Sequence, residues 1–227
     1  VKSFGDYAFF GMSNLQKISF TGQDNIEEIG LCAFGNCISL NTMKIGAKTS
    51  FIGGGAFGGC DSLSAFSMEA GNSTFSCADG IIYSKDGTAL NLFPAGRSGM
   101  FIVPDTVTTI SAAAFCGNNK LTSVDLNNVT VVYAGGFADC TNLSEIIADK
   151  LEYAEIGAFE NTKWMEDNSE EFVSLGNVLL KYQGNAEELH ISAYKSICEL
   201  AFVNNTHLKR VYFDGNNLNN IGFHVFN

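Results

Sequence analysis

The sequence predicts an α/β repeat fold: a single curved solenoid whose coils of about 23 residues each carry one short parallel strand, with two β-hairpin insertions. Three observations lead there. First, Phe9, Phe34, Phe57, Phe115, Phe137, Phe159, Phe202 and Phe226 recur at intervals of 25, 23, 58, 22, 22, 43 and 24 residues. Each follows a compact residue (Ala8, Ala33, Ala56, Ala114, Gly136, Ala158, Ala201, Val225), and a period of this length marks units that bury their apolar face only against their neighbours. Second, other apolar positions keep register with the ring, such as Ile29, Ile52, Ile110, Val132, Ile197 and Ile221 five residues before it, and Leu15, Leu40, Leu63, Leu121, Leu143 and Leu208 six after. Third, the stretch that follows alternates with period 2, as a half-buried strand does.

Taken in order, the strands are read from Leu15–Phe20, Leu40–Ile45, Leu63–Met68, Leu121–Leu126 and Leu208–Phe213. The rings are expected to form one continuous internal stack. Gly5, Gly30, Gly53 and Gly222, four residues ahead of their rings, are expected to relieve a tight bend. The copy at Phe159 departs from the pattern, because Ile156-Gly157 stands two residues nearer the ring than usual. The two long gaps hold the inserts, 69–104 and 163–190. In the first, Gly80–Tyr83 and Thr88–Phe93 flank Ser84-Lys-Asp-Gly87, a hairpin signal, and Pro104 marks re-entry into the coil. In the second, Phe172–Leu175 and Val178–Tyr182 flank Gly176-Asn177. Ile81, Ile82, Leu90, Leu92 and Phe93 need burial, so the inserts are expected to cover apolar edges and stiffen the array. Decoration of a binding side is the alternative. Trp164, the single tryptophan, is expected to pack at a junction.

The stretches Ile26–Leu40, Ile52–Leu63, Val107–Leu121 and Gly136–Leu143 resemble the leucine-rich repeats of the BspA-like type, found in surface proteins of bacteria and some protists. The resemblance covers residues 1–227 apart from the inserts, in about eight repeats with partial ones at the ends. It implies a leucine-rich-repeat solenoid, an extracellular or cell-surface location, and adhesion to host proteins or neighbouring cells. Val1 lies inside one repeat and Asn227 just past the ring of another, with no initiator Met, signal peptide or polar capping repeat, so a segment of a larger protein is expected.

Composition narrows the function. Hydrophobic residues at 46% against 16% charged describe an ordered chain. No apolar run reaches a membrane span, so no direct membrane insertion is expected. A net charge of −11 repels nucleic-acid backbones and anionic membranes, which removes both from the expected partners. Seven cysteines lack local pairing: Cys37, Cys60 and Cys140 share one position three residues after the ring, and buried free thiols are expected. Gly53-x-Gly55-x-x-Gly58 matches a dinucleotide fingerprint, yet repeat geometry accounts for each glycine and no strand–helix context supports it. His190, His207 and His224 stand at three unrelated offsets, and Glu69, Asp79 and Asp86 around the first hairpin form no metal loop. Asn72, Asn128, Asn142 and Asn204 begin glycosylation sequons. No catalytic constellation, metal site or cofactor site is read, and the protein is expected not to be an enzyme.

What remains is surface. The second and fourth residues after each strand Leu should point outward in two columns. From them the candidate partner contacts are Lys17, Thr42, Lys44, Ser67, Asp125, Glu145, Arg210 and Tyr212, with the basic and aromatic members preferred. The expected function is a monomeric, non-enzymatic module binding a protein or glycoprotein. A rigid spacer presenting another domain and a glycan-binding module are the alternatives.

Overall fold

The computed structural model describes residues 1–19, 25–215 and 217–226. The expected strand residue Phe20 lies outside the described residues. The chain is a β-solenoid with almost no helix, Lys163–Asp167 being the one α-helix among the described residues, so the helical half of the α/β expectation falls away.

The inner coils contribute two short strands, except that of Phe159, where a helix takes the place of the second. The first lies just ahead of the ring (Ser3–Phe4, Glu28–Ile29, Phe51–Ile52; Thr109–Ile110, Val131–Val132, Tyr153–Ala154; Ser196–Ile197, Asn220–Ile221) and pairs in parallel with its counterpart one coil on. The second follows the ring: Met43–Ile45 pairs with Phe66–Met68, Leu121–Asp125 with Gly99–Ile102 and Glu145–Ile147, and Glu188–Ile191 with Arg210–Phe213, all in parallel. In the Phe159 coil, Ala154 takes the buried slot five residues before the ring and Ile156 is exposed. That coil therefore keeps normal register despite its sequence.

The rings do stack, but in three columns rather than one. Phe9, Phe34 and Phe57 lie parallel at 5.0 and 5.3 Å between centroids. Phe93, Phe115, Phe137 and Phe159 follow at 4.5, 4.4 and 5.5 Å. Tyr182, Phe202 and Phe226 complete the series at 5.3 and 5.0 Å. Phe93 and Tyr182, both inside the long gaps, are thus ring residues of shortened coils. In each, three residues rather than five separate the buried strand position from the ring, since Leu90 pairs with Ile110 and Leu179 with Ile197. A backbone rung accompanies the column. The amides of Phe9, Phe34, Phe93, Phe115, Phe137, Tyr182 and Phe202 donate to the carbonyl of the compact residue in the next coil, at 2.7–2.9 Å.

The breaks between columns coincide with antiparallel pairing. Phe75–Ala78 pairs antiparallel with Ile81–Ser84, which pairs antiparallel with Ala89–Leu92; Phe172–Leu175 pairs antiparallel with Val178–Tyr182. Two of these strands are walls between cores. Ile82 belongs to the N-terminal core while Ile81 and Tyr83 belong to the central one. Val178 and Leu180 likewise face the central core, and Leu179 and Tyr182 the C-terminal one. Alternation of side chains across a strand delivers residues to both sides, and the need to bury Ile81, Ile82, Leu90, Leu92 and Phe93 is met here.

The shortened coils lack the turn that precedes a regular ring, so the turns on either side of them meet directly. A side chain at Gly58 would meet the Cys116 carbonyl at 3.1 Å, and one at Gly117 would meet the Gly59 amide at 2.6 Å. This contact explains Gly58, a left-handed backbone explains Gly55, and the preceding coil explains Gly53, so no phosphate cradle is needed for Gly53-x-Gly55-x-x-Gly58. The glycines four residues before the rings serve close approach as well: a Cβ at Gly30, Gly53 or Gly222 would lie 2.5–2.6 Å from a backbone amide of the preceding coil, and none has positive φ. The expected bend relief is therefore not their role.

All seven cysteines are free. The Sγ of Cys37, Cys60 and Cys140 donates to the carbonyls of Phe9, Phe34 and Phe115, each at 3.1 Å, so the thiol stitches its coil to the one before. Burial pushes the Cys60, Cys140 and Cys198 thiols up to about 12 and Cys116 up to about 11. Asn72 is also structural: its buried amide donates to the Gly46 and Thr49 carbonyls and its oxygen accepts from the Thr74 and Phe75 amides, which leaves its sequon no free side chain to modify.

Candidate interaction surface

The second-strand ladder carries the outward columns, and the breaks divide it into three blocks. In the N-terminal block Lys17 bridges to Thr42, and Lys44 lies opposite Ser67. In the central block Met100, Ser123 and Glu145 form one column and Ile102, Asp125 and Ile147 the other. In the C-terminal block Glu188 lies opposite Arg210 and His190 opposite Tyr212. The structure thus groups Lys17, Thr42, Lys44 and Ser67; Asp125 with Glu145; and Arg210 with Tyr212. It does not bring the three groups together.

Five of the eight candidates (Lys44, Ser67, Glu145, Arg210 and Tyr212) are exposed strand-face residues next to their own neighbours in register, and Lys17 and Thr42 form an exposed bridge outside the strands; Asp125 is half-buried between Ile102 and Ile147. Ser123, also expected to point outward, is only 7% exposed, because a two-atom side chain between Met100 and Glu145 is shaded by both.

Electrostatics changes the ranking of the candidates. Lys44 Nζ sits 3.1 Å from Glu69 Oε1, and this partner holds the Glu69 carboxyl below its usual range. Arg210 pairs with Glu188, and Lys209 with Glu187 at 2.8 Å. Tyr212 stacks on His190 at 4.6 Å and 14°, while His190 Nδ1 lies 2.6 Å from Asp214 Oδ2. Lys44, Arg210 and Tyr212, preferred from sequence, therefore already have partners. Asp125 and Glu145 form no ion pair among the described residues. Beside them Met100 and Ile102 on one outer strand stand 59 and 56% exposed, and Ile147 on the other outer strand stands 40% exposed. Isolated surface apolar residues are ordinary, but three on the same face of one three-stranded sheet, two of them flanking Asp125 in register, make a patch.

Met100, Ile102, Glu188 and His190 escaped the sequence reading because they lie in the inserts. Phe101 pairs with Val124 yet stands eight residues after its ring, and Leu189 pairs with Val211 yet stands seven after; the regular coils use nine. Allowing shortened coils would have found both. Among the described residues no group of three or more His, Cys, Asp or Glu is placed to hold a metal ion, and no helix is long and apolar enough to cross a membrane.

The profile of the BspA type leucine rich repeat region matches this chain in six copies, over residues 1–79, 98–169 and 167–227. Among solved structures, the pneumococcal vaccine antigen PcpA aligns with a TM-score of 0.66 at 24% identity, over 100% of this chain and 53% of that one. A leucine-rich repeat protein from Eubacterium ventriosum aligns with a TM-score of 0.63 at 19% identity, over 100% and 68%. A leucine rich cell surface protein from Faecalibacterium prausnitzii aligns with a TM-score of 0.50 at 19% identity, over 95% and 77%. At these identities the likeness concerns the fold. The chain spans about half the length of the pneumococcal antigen. No curated protein matches the chain.

Proposed function

The chain belongs to the BspA-type leucine-rich repeat family, and from that premise we propose that it is a non-enzymatic recognition module of an extracellular or cell-surface protein, binding a protein or glycoprotein through its second-strand ladder. The observation that carries this reading is the central block, where Met100, Ile102 and Ile147 face solvent on one sheet around Asp125 and Glu145. Water-facing apolar side chains on a rigid sheet cost solvation and add nothing to the core, so their burial by a partner is favourable. Met and apolar anchors beside unpaired charge have the make-up of interface centres. The likeness to a leucine rich cell surface protein supports the compartment.

The test is an array of extracellular-matrix proteins, mucins and glycans probed with the chain and with its Met100→Ser/Ile102→Asp/Ile147→Ser variant. A protein or glycoprotein ligand held by the parent and lost by the variant is the expected result. Uniform silence, or a ligand indifferent to the ladder, would leave the rigid-spacer reading, which the internal pairing of Lys44 and Arg210 favours.

A further inference from the structure

Past Phe159 the chain leaves the coil path for the short helix Lys163–Asp167. Thr162 caps it, its Oγ1 accepting from the Met165 amide, and the Trp164 amide donates to the Leu143 carbonyl at 2.8 Å. These bonds hold the helix beside the edge strand Glu145–Ile147 of the central block. Against the helix and the segment after it lies a shallow, open cleft of about 300 Å³ lined by Ser144, Trp164, Asp167, Asn168, Ser169 and Glu170. Ser144 immediately precedes the edge strand that ends in Ile147, so the cleft opens at one end of the central block.

The lining has one chemical character. Trp164 packs edge-on against Phe159 at 6.4 Å and is only partly buried, leaving part of its indole to line the cleft. Asp167 and Glu170 are exposed at its rim, and no Lys or Arg lines it. Lys163 holds Asp167 at 2.7 Å across one exposed helical turn, a weak pair like those of Lys44 and Arg210, while Glu170 forms no ion pair among the described residues. An indole beside carboxylates is what a cation recognises: the ring quadrupole attracts the charge, and the carboxylates accept its N–H bonds. A planar guanidinium uses both at once, which an ammonium does less well. The chain's charge of −11 draws such a partner in from a distance.

Resting on the recognition function proposed above, we propose that the partner is a polypeptide with an exposed basic side chain, Arg foremost, that seats in the Trp164 cleft while adjoining apolar side chains cover Met100, Ile102 and Ile147. The cleft sets specificity through charge, and the patch supplies the apolar burial.

The experiment pans a phage-displayed random dodecapeptide library against the whole chain and titrates the strongest recovered peptide, made synthetically. Recovered sequences should be rich in Arg or Lys next to apolar residues. Affinity should fall about tenfold or more both in Asp167→Asn/Glu170→Gln and in Trp164→Ala, as loss of a cation–π contact and its charged hydrogen bonds implies. It should weaken as salt rises, and Lys44→Ala/Arg210→Ala should bind as the parent does. Asp167 and Glu170 are exposed, so the double variant keeps the fold even where Trp164→Ala does not. Peptides without basic residues would overturn the proposal. So would a peptide indifferent to Asp167→Asn/Glu170→Gln, or a glycan ligand that needs Trp164 but neither carboxylate. If such a peptide is nevertheless lost with Ile102→Asp, the cleft assignment fails and the ladder function stands. If it survives both variants, the ladder function fails too.

Discussion

Tyr182 packs against Phe202 at 5.3 Å with the rings tilted by 38°, and its amide donates to the carbonyl of Ala201, the residue before that ring. The same rung joins Phe115 to Gly136 at 2.8 Å, beneath rings 4.4 Å apart. Tyr182 is therefore a repeat residue in which tyrosine replaces phenylalanine, and its hydroxyl has work of its own: it donates to Glu171 Oε1 at 3.1 Å and accepts from the Ala186 amide at 3.2 Å.

Truncation of a ring should be costly in either kind of coil. Phe137→Ala and Tyr182→Ala are each expected to lower unfolding free energy by roughly 3–5 kcal/mol. Tyr182→Phe, which keeps the ring and loses the hydroxyl bonds, should cost about 1 kcal/mol. Denaturant unfolding of the three variants measures this. A Tyr182→Ala protein as stable as the parent would show that the shortened coil bears no core.

The glycines make a paired prediction. Gly53→Ala puts a methyl 2.5 Å from the Leu31 amide, and backbone has nowhere to go. It should destabilise by about 1–3 kcal/mol, the usual range for overpacking. Gly5→Ala, the same position in the first coil, meets nothing within 4 Å and should be close to neutral. Equal melting temperatures for the two variants would contradict the contact.

The buried thiols impose an alkaline limit. Cys60, Cys140 and Cys198 titrate near 9.0 when unfolded and at about 12 when folded, so the folded chain binds more protons between those values. Their contribution is whole below pH 9.0 and is lost as pH rises toward about 12. Stability measured from pH 8 upward should fall, and Cys60→Ala/Cys140→Ala should flatten the fall. In native alkylation followed by peptide mapping, half-exposed Cys32 and Cys77 should react before Cys60 and Cys140.

Asp86 sets an acid-side dependence of opposite sign. Its Oδ1 accepts from the Ser84 hydroxyl and from the amide and hydroxyl of Thr88, which holds the carboxyl down to about 2 from an ordinary 3.8. The turn is fully braced above pH 3.8 and loses that bracing as pH falls through about 2. Asp86→Asn should lower the melting temperature at pH 6 and remove this part of the acid dependence. Parallel pH profiles for parent and variant would refute the assignment.

Composition and spacing were enough to determine a stacked-coil protein with aromatic rungs, since any coil of that length must bury its ring and its paired aliphatics against the next. The outward strand positions Lys44, Ser67, Glu145, Arg210 and Tyr212 were equally legible, because alternation along a strand is local. Legibility ended where length changed. Phe93 and Tyr182 belong to coils shortened by two residues before the ring, so a fixed period passes over them, and the strands Gly99–Ile102 and Glu188–Ile191 go with them. Only tertiary structure showed that Ile81–Ser84 and Val178–Tyr182 stand as walls between three cores. It alone brought Glu69 to Lys44, Glu188 to Arg210 and Trp164 to the edge of the central block. Those meetings join residues about 20 or more positions apart, and they are decided by how coils pack against one another, which no local pattern encodes.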